Sequence, residues 1–465
     1  MTEESKVNRR DFLKYVAVGV VCAAVAGVGG YYYGRQAAPT TTVTVTETVT
    51  GTPSPSPVES PSPTPTEIFG KKEVRIGVVA PLATRQGKVQ ENAAKLAAEE
   101  INKAGGILGL PVKIVVGDTK LDPDTAVSEF RRLVTVEKAV AMTGGFSSGV
   151  MFAMMEAMAE LKVPFLADTS SPGHPAKVHD EYDKYKYWFR LQNNGATFAW
   201  DAADMLDMLE KKGFDVSEIY IIRDEHIWTD AVLNYFKPEL DKRGIKIAKD
   251  VKIPRGYSEY EPLLLEAANM GIQVIHPIIA IAGTGDILAK KWAELKKPVL
   301  VAGNDISALD LEFYEKTGGA AEGYIFEAHG GVVLTAPPTD MCRRFIENYT
   351  AKYGYPPEAH QGYVAYDAIY LFKIVMETAY NEGKNPFDPD VIVEILERFT
   401  PDNPITLTRK IAFYPPGDER KFDHDMVWGD DYTRNWISQW QNGKQYVIWG
   451  KIKNADMILP PWWPK

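Results

Sequence analysis

Cysteine and histidine are scarce in this chain, and neither occurs in a pattern that binds a metal. Only Cys22 and Cys342 are present among 465 residues. Cys22 lies in an apolar run near the N-terminus, so a structural disulfide is disfavoured and a cysteine-ligated metal cluster is excluded. The histidines, at positions 174, 179, 226, 276, 329, 360 and 424, show no HExxH or comparable pairing. We therefore expect no metal site.

Motifs for catalysis and cofactor binding are also missing. The segment GTGDIL, residues 283–288, lacks the third glycine and the following acid of a dinucleotide fingerprint, and no Gly-x-Ser-x-Gly elbow occurs. We expect no catalytic residue and no cofactor. Basic residues are not in excess either, because 52 Lys and Arg stand against 62 Asp and Glu, a formal net charge of -10. This acidic balance argues against a nucleic-acid partner.

The N-terminus has the pattern of an export signal. Residues 5–14 read SKVNRRDFLK, and residues 15–33 follow as an apolar or small stretch without a charge. The pair Arg9-Arg10 with the DFLK that follows it resembles the twin-arginine export motif. We predict that residues 1–38 direct export to the outer face of the membrane or the periplasm. The apolar stretch is cleaved or is retained as an anchor, and both alternatives remain open.

Residues 39–71 are predicted to form a stalk. The stretch up to residue 66 is built almost entirely from threonine, serine, proline and valine. It has little apolar surface to bury, and its prolines interrupt regular hydrogen bonding. Such a segment suits a folded part that stands away from a membrane.

From Glu73 onwards, strand-like apolar runs alternate with helical stretches. The predicted strands are VRIGVV (74–79), VKIVVGD (112–118), AVAMTG (139–144), VPFLAD (163–168), EIYIIRD (218–224), IKIAKDV (245–251), QVIHPIIA (273–280) and PVLVAG (298–303). Helical stretches lie between most of them, and Asp122-Pro123 starts one of these helices. This alternation predicts an α/β fold of doubly wound parallel sheets.

Five segments resemble the leucine/isoleucine/valine-binding proteins, which are type I extracytoplasmic solute receptors of ATP-driven importers. The segments are AGGILGLPVKIVVGDTKLDPDTAV, GGFSSGV (144–150), VPFLADTSSP (163–172), GGAAEGYIFEA (318–328) and YGYPPEAHQGYVAYDAIYLF (353–372). The resemblance implies two α/β lobes joined by a three-strand hinge, with a cleft between the lobes. It places residues 72–190 and 325–437 in lobe 1, and residues 191–324 and 438–465 in lobe 2.

The resemblance implies ligand contacts from three loops of lobe 1. The family's ligand-contacting positions match Arg85, Gln86, Ser147, Ser148, Gly149, Asp168, Thr169 and Ser170. A helix that starts near Gly149 offers backbone N–H groups to a carboxylate, although an ordinary serine N-cap is the alternative. Asp168 departs from the family pattern, because a carboxylate beside a bound carboxylate is repulsive unless it turns away or meets an ammonium.

Lobe 2 is expected to supply an aromatic wall and an acid. The resemblance places Trp228 at the aromatic position, and it places Asp305 where an acid receives an α-ammonium group. Asn304 takes that role if the alignment shifts by one residue. An ordinary exposed loop acid is the alternative for Asp305.

The function implied by the resemblance is solute binding for an importer. The leading ligand is an amino acid with an apolar side chain, and a short amide or carboxylic acid is the alternative within the class. The implied partner is a membrane permease, the implied state is a monomer, and the implied mechanism is hinged closure of two lobes. An exported enzyme is the rival class, because twin-arginine signals serve folded redox proteins. The scarce cysteine and the unclustered histidines count against that class.

Overall fold

The computed structural model describes residues 67–254, 256–280, 284–357 and 359–464. The chain divides into two units, Met1–Ser62 and Pro63–Lys465, and every element below belongs to the second. The predicted export signal and residues 39–66 of the predicted stalk lie outside the described residues. Among the helices that are described, none is long and apolar enough to cross a membrane.

The first part of the chain alternates strands and helices as predicted. Its elements are β1 (Val74–Ala80), α1 (Arg85–Lys103), β2 (Val112–Asp118), α2 (Pro123–Thr135), β3 (Ala141–Gly144), α3 (Ser148–Leu161), β4 (Phe165–Ala167), α4 (Gly173–Asp180), α5 (Tyr182–Tyr185) and β5 (Trp188–Arg190). Thr84 caps α1, and Asp122 caps α2 with a proline in the first turn. The short strand β5 was not predicted.

The first sheet is parallel throughout, with the strand order β2-β1-β3-β4-β5. The direction of winding reverses at β1, so right-handed crossovers put α1 on one face and α2 and α3 on the other. α2 packs directly against α3. Both faces of the sheet are therefore covered, and every residue of β1 except Arg75 is buried.

The second part of the chain repeats this alternation. Its elements are α6 (Gly195–Lys211), β6 (Glu218–Asp224), α7 (Ile227–Arg243), β7 (Lys246–Ile253), α8 (Tyr260–Asn269), β8 (Val274–Ile279), α9 (Thr284–Leu295), β9 (Leu300–Asp305), α10 (Phe313–Lys316) and β10 (Ile325–Ala328). Single 3-10 turns follow β9 at Ile306–Leu309 and β10 at His329–Gly331.

The last part of the chain returns to the first lobe and then adds two strands to the second. Its elements are α11 (Asp340–Tyr353), α12 (Ala359–Asn381), α13 (Pro389–Leu396), β11 (Ile405–Thr406), β12 (Lys410–Ile411), β13 (Trp436–Gln441) and β14 (Lys444–Val447). α12 packs along α1, and residues of α11, α12 and α13 join the apolar core of the first lobe. β11 and β12 form a separate two-stranded ribbon.

The second sheet has the order β14-β13-β10-β9-β8-β6-β7. Strands β6 to β10 are parallel and repeat the order of the first sheet, whereas β13 and β14 are antiparallel additions at one edge. α6 packs against α7, and α8 packs against α9. The α/β fold of two doubly wound lobes is therefore confirmed.

Three connections join the two lobes, at residues 191–194, 329–339 and 428–435. Asn194 caps α6 at the first connection and also donates to Asp425, which pairs with the buried Arg190 at 2.5 Å. Strands β10 and β13 are hydrogen-bonded into the second sheet. The second connection therefore follows β10, and the third precedes β13. The lobe limits drawn at 190, 325 and 437 stay a prediction.

Candidate functional site

The candidate site lies where the loops after the parallel strands of both lobes come together. In each sheet the winding reverses beside one strand, at β1 in the first lobe and at β6 in the second. Sheets of this order bind ligands at the carboxyl ends of the strands beside that reversal. The residues predicted to contact ligand occupy these loops and the helix starts that follow them.

The loop after β1 brings Arg85 to the second lobe. Arg85 is the first residue of α1, and its Nη1 lies 3.1 Å from Asp310 Oδ1 and 3.3 Å from a carboxylate oxygen of Glu312. Gly87 allows this tight loop, because a Cβ there would lie 2.1 Å from the carbonyl oxygen of Pro81. Gln86, the next predicted residue, is half-buried. Arg85 therefore bridges the lobes.

The start of α3 presents open backbone. Ser147 is the N-cap residue, yet its side chain makes no capping hydrogen bond. α3 begins at Ser148, one residue earlier than predicted, and a Cβ at the exposed Gly149 would meet no atom within 4 Å. The first N–H groups of a helix carry a partial positive charge and have no partner within the helix. This end suits a carboxylate.

The loop after β4 is fixed by His174. His174 Nε2 lies 3.0 Å from the carbonyl oxygen of Ser148, so Nε2 carries the proton and Nδ1 accepts from the Thr169 hydroxyl at 3.2 Å. Burial, and then the charge of Arg190, lower the pKa of His174 to about 3, so the ring is neutral. Ser170 is half-buried, and its carbonyl accepts from the N–H of Gly195.

Asp168 turns into the first lobe. It is buried, its Oδ2 accepts from Gln90 Nε2 at 2.7 Å, and its Oδ1 lies 3.2 Å from His360 Nε2. Gln90 also donates to the carbonyl of Gly145. The carboxylate that departs from the family pattern is thus held by groups of its own lobe.

Trp228 lies in the first turn of α7 and is half-buried. Its ring meets Phe198 edge-on at 6.5 Å, and Phe198 in turn contacts the ring of His329 at 4.8 Å. The buried indole nitrogen of Trp228 has no hydrogen-bond partner among the described residues. These aromatic side chains form a wall on the second lobe, and Phe198 was not predicted to be part of it.

Asn304 and Asp305 end β9 and point to opposite faces of the sheet, as adjacent strand residues do. Asn304 Oδ1 lies 3.0 Å from His329 Nε2. Asp305 accepts from the N–H of Ser307 at 2.9 Å and from the Tyr324 hydroxyl at 2.7 Å. Burial raises the pKa of Asp305 to about 7 despite these hydrogen bonds. Only Asn304 is directed toward the connections between the lobes.

A row of buried polar side chains runs from the second lobe to the first, and we name it the interlobe row. It consists of Asn304, His329, His360, Asp168 and Gln90. The two imidazole rings, whose centroids are 5.5 Å apart, form its centre. The spacing of the histidines along the chain does not reveal this pairing. The available signal was that both histidines lie in or directly beside segments that resemble the family.

Several buried polar atoms in and beside the interlobe row have no hydrogen-bond partner among the described residues. They are Gln90 Oε1, Asp168 Oδ1 (which has only the ion-pair contact with His360), Asn193 Oδ1, Asn304 Nδ2, both carboxyl oxygens of Glu327, His360 Nδ1, Gln361 Oε1 and Asn435 Nδ2. Burying a polar group without a partner is costly, so such atoms concentrate where a ligand supplies the partner. Within the described ranges, no group of three or more His, Cys, Asp or Glu side chains is arranged to hold a metal ion.

Comparisons with known proteins agree with this architecture. The model of a family described as periplasmic binding protein matches residues 73–428. The Leu/Ile/Val-binding protein homolog 8 of Brucella abortus (strain 2308) is 23% identical over 391 residues, which are 81% of this chain and 90% of that relative.

Two solved structures have the same fold. The branched-chain amino acid transporter substrate binding protein LivJ from Streptococcus pneumoniae, in complex with isoleucine, has a TM-score of 0.65 at 18% identity and covers 80% of this chain and 97% of its own. The second is the solute binding protein of an ABC transporter from Rhodopseudomonas palustris BisB5, in complex with 3,4-dihydroxy benzoic acid. Its TM-score is 0.64 at 20% identity, and the match covers 84% of this chain and 99% of that protein.

Proposed function

This chain belongs to the periplasmic binding protein family, and from that premise we propose that it captures a small organic solute outside the cytoplasm and delivers it to the permease of an ATP-driven importer. The observation that carries the proposal is the meeting of two lobes of the same strand order at a base of buried polar residues that both lobes supply. Closure of the lobes over this base would enclose the solute and bury its polar groups.

The solute is an amino acid with an apolar side chain. The open start of α3 at Ser147, Ser148 and Gly149 is suited to its carboxylate. The wall formed by Trp228 and Phe198 is suited to an aliphatic or aromatic side chain. The name of the Brucella relative and the isoleucine complex of the Streptococcus protein support this class.

A carboxylic acid without an amino group is the second candidate. The relative of the same fold from Rhodopseudomonas palustris binds 3,4-dihydroxy benzoic acid. The start of α3 would receive that carboxylate equally well. The two candidates therefore differ at the second lobe, where an amino group would need an acceptor.

The experiment that tests the proposal is a ligand panel. Parent protein without residues 1–66 is unfolded, washed free of bound solute and refolded. It is then titrated calorimetrically with leucine, isoleucine, valine, 4-methylpentanoate and 3,4-dihydroxybenzoate. We expect saturable binding of at least one member, and mass spectrometry should recover the solute unaltered after long incubation. Binding of none would contradict the proposal, and conversion of the solute would favour the exported enzyme.

The proposal extends to location, partner and lobe limits. The family is extracytoplasmic, which agrees with the export signal predicted for residues 1–38. We propose a monomer that meets its permease with both lobes. The lobes comprise residues 72–190 with 325–437 and residues 191–324 with 438–465, each limit lying within a few residues of a connection.

A further inference from the structure

Glu327 is a buried acid of the second sheet that no ion pair among the described residues neutralises. It lies in the short strand β10, is fully buried, and neither of its carboxyl oxygens has a hydrogen-bond partner among the described residues. The amide nitrogens of Asn304 and Asn435 also lack a hydrogen bond of good geometry, although both amides lie close enough to the Glu327 carboxyl to lower its pKa as donors. The two amides and the carboxyl group thus form a cluster without well-formed hydrogen bonds.

The position of Glu327 connects it with the candidate site. Alternation along β10 directs Ile325 and Glu327 to the face covered by α6. Asn304 lies on that same face and contacts His329, which begins the interlobe row toward the first lobe. Glu327 therefore borders the base of the cleft, two residues before the chain crosses between the lobes.

Arg434, whose positive charge acts on Glu327, is already paired with other acids. Arg434 pairs with Asp201 at 2.9 Å, Asp204 at 2.5 Å and Asp430 at 2.6 Å. Burial, and then the charge of Asp201, raise the pKa of Glu327 well above its ordinary value, although Asn435, Arg434 and Asn304 oppose this. A further positive charge beside the carboxyl group would therefore favour its ionised form.

The family resemblance assigns the solute's amino group to Asp305, but Asp305 is less suited to that role than Glu327. Both of its oxygens already accept hydrogen bonds, from Ser307 and from Tyr324. The carboxylate also packs closely against Gly285, because a Cβ on Gly285 would lie 2.2 Å from Asp305 Oδ2. A ligand ammonium would have to displace groups of the lobe itself in order to reach Asp305.

We propose that Glu327, flanked by the amides of Asn304 and Asn435, is the subsite for a cationic nitrogen of the solute, and that Asp305 is structural. The inference rests on the proposed function and narrows its solute class to compounds with an amino group. On binding, the ammonium of the solute favours the ionised carboxylate and pairs with it. A proton held by Glu327 then passes to solvent.

The test compares leucine with 4-methylpentanoate, which lacks only the amino group. We expect the parent protein to prefer leucine, and Glu327→Gln to lose about 30-fold or more in leucine affinity with little change for 4-methylpentanoate. Glu266→Gln, on the exposed side of α8 beside Lys249, is the control for an equal change in net charge. Circular dichroism melts verify that each variant is folded.

A second measurement on the parent protein does not depend on any variant. Titration of leucine in buffers of different ionisation enthalpy should report a net release of protons on leucine binding. Leucine binding by Glu327→Gln at the affinity of the parent, or binding without proton release, would overturn the inference. Preference of the parent for 4-methylpentanoate or 3,4-dihydroxybenzoate over leucine would overturn it as well, and the proposed function would stand. If the parent binds no solute of the panel, both fail.

Discussion

The hydroxyl and the N–H of Ser148 make separable contributions at the start of α3. Ser147, the residue before it, has φ -79° and ψ 125°, an extended conformation that a following proline requires. Ser148 occupies the first helical position, where proline is well tolerated. Ser148→Pro therefore removes the N–H without disturbing α3, and Ser148→Ala removes only the hydroxyl.

We expect Ser148→Ala to weaken solute binding by roughly 0.5–1.5 kcal/mol, and Ser148→Pro to weaken it further, by about 1.5–3 kcal/mol relative to Ser148→Ala. The second loss is larger because a backbone N–H at a helix start makes a charge-assisted hydrogen bond with a carboxylate. Calorimetric titration with the best solute of the panel measures both losses. If both variants bind like the parent, the carboxylate lies elsewhere.

Asp305 predicts a pH dependence of stability. Burial raises its pKa in the folded state from 3.8 to about 7, so folding favours the protonated form. The contribution to stability is complete below pH 3.8 and is lost as the pH rises through about 7. Asp305→Asn has no such loss. As the pH rises over this range, the free energy of unfolding of the variant should therefore increase relative to that of the parent, by at most about 4 kcal/mol.

Urea unfolding at a series of pH values measures this difference. Asp250→Asn is a suitable comparison, because Asp250 is a partly exposed acid paired with Arg223 in the same lobe. A difference between Asp305→Asn and the parent that does not vary with pH would mean that Asp305 ionises normally in the folded protein. In that case Asp305 would again be a candidate for the solute's amino group.

At the scale of elements, Arg85 connects the start of α1 with the turn before α10. The ion pairs to Asp310 and Glu312 cross from one lobe to the other and are partly exposed. Such pairs contribute about 0.2–1 kcal/mol, and this contribution exists only while the lobes are closed. Arg85→Ala should therefore accelerate solute release by up to about fivefold, with little change in the association rate.

Stopped-flow fluorescence measures both rates. Lys88→Ala is the matched control, because Lys88 pairs with Glu91 inside α1 and makes no interlobe ion pair among the described contacts. The effect of Arg85→Ala should shrink at high salt, where exposed pairs are screened. If both variants release the solute equally faster than the parent, the proposed interlobe role of Arg85 is wrong.

The predictability of the strands depended on their length. β2 and β6 occur at the predicted residues, because each is a seven-residue run that reads as a strand from the sequence alone. β5 has only three residues and follows a polar stretch, so no periodicity marks it. The strand-like composition of β13 does not reveal that it joins the second sheet as an antiparallel neighbour of β10.

The candidate site was predictable only in its local parts. The start of α3 was placed within one residue, because GGFSSGV carries its own turn and cap signals. The prediction of the acid in the second lobe depended on how Asn304 and Asp305 align with the family. A shift of one residue moves the predicted side chain to the other face of the strand. His329 and His360 meet beside a connection between the lobes, and no local pattern encodes such a contact.

At the scale of the whole molecule, the proposed function requires both lobes to lie on the side of the membrane where the solute is free. The RRDFLK motif and the apolar stretch after it predict that the chain is exported. Only a receptor that reads the paired guanidinium groups distinguishes arginine from lysine at these positions, since both residues carry one positive charge.

Arg9→Lys combined with Arg10→Lys should therefore leave the protein in the cytoplasm, although the charge of the N-terminus is unchanged. Fractionation of cells that express the full chain, followed by immunoblotting, measures its distribution. Lys6→Arg with Lys14→Arg is the control, because it keeps the paired arginines and alters both neighbouring basic positions. Equal export of the two variants would mean that the charge before the apolar stretch suffices, and that export follows a route that does not read twin arginines.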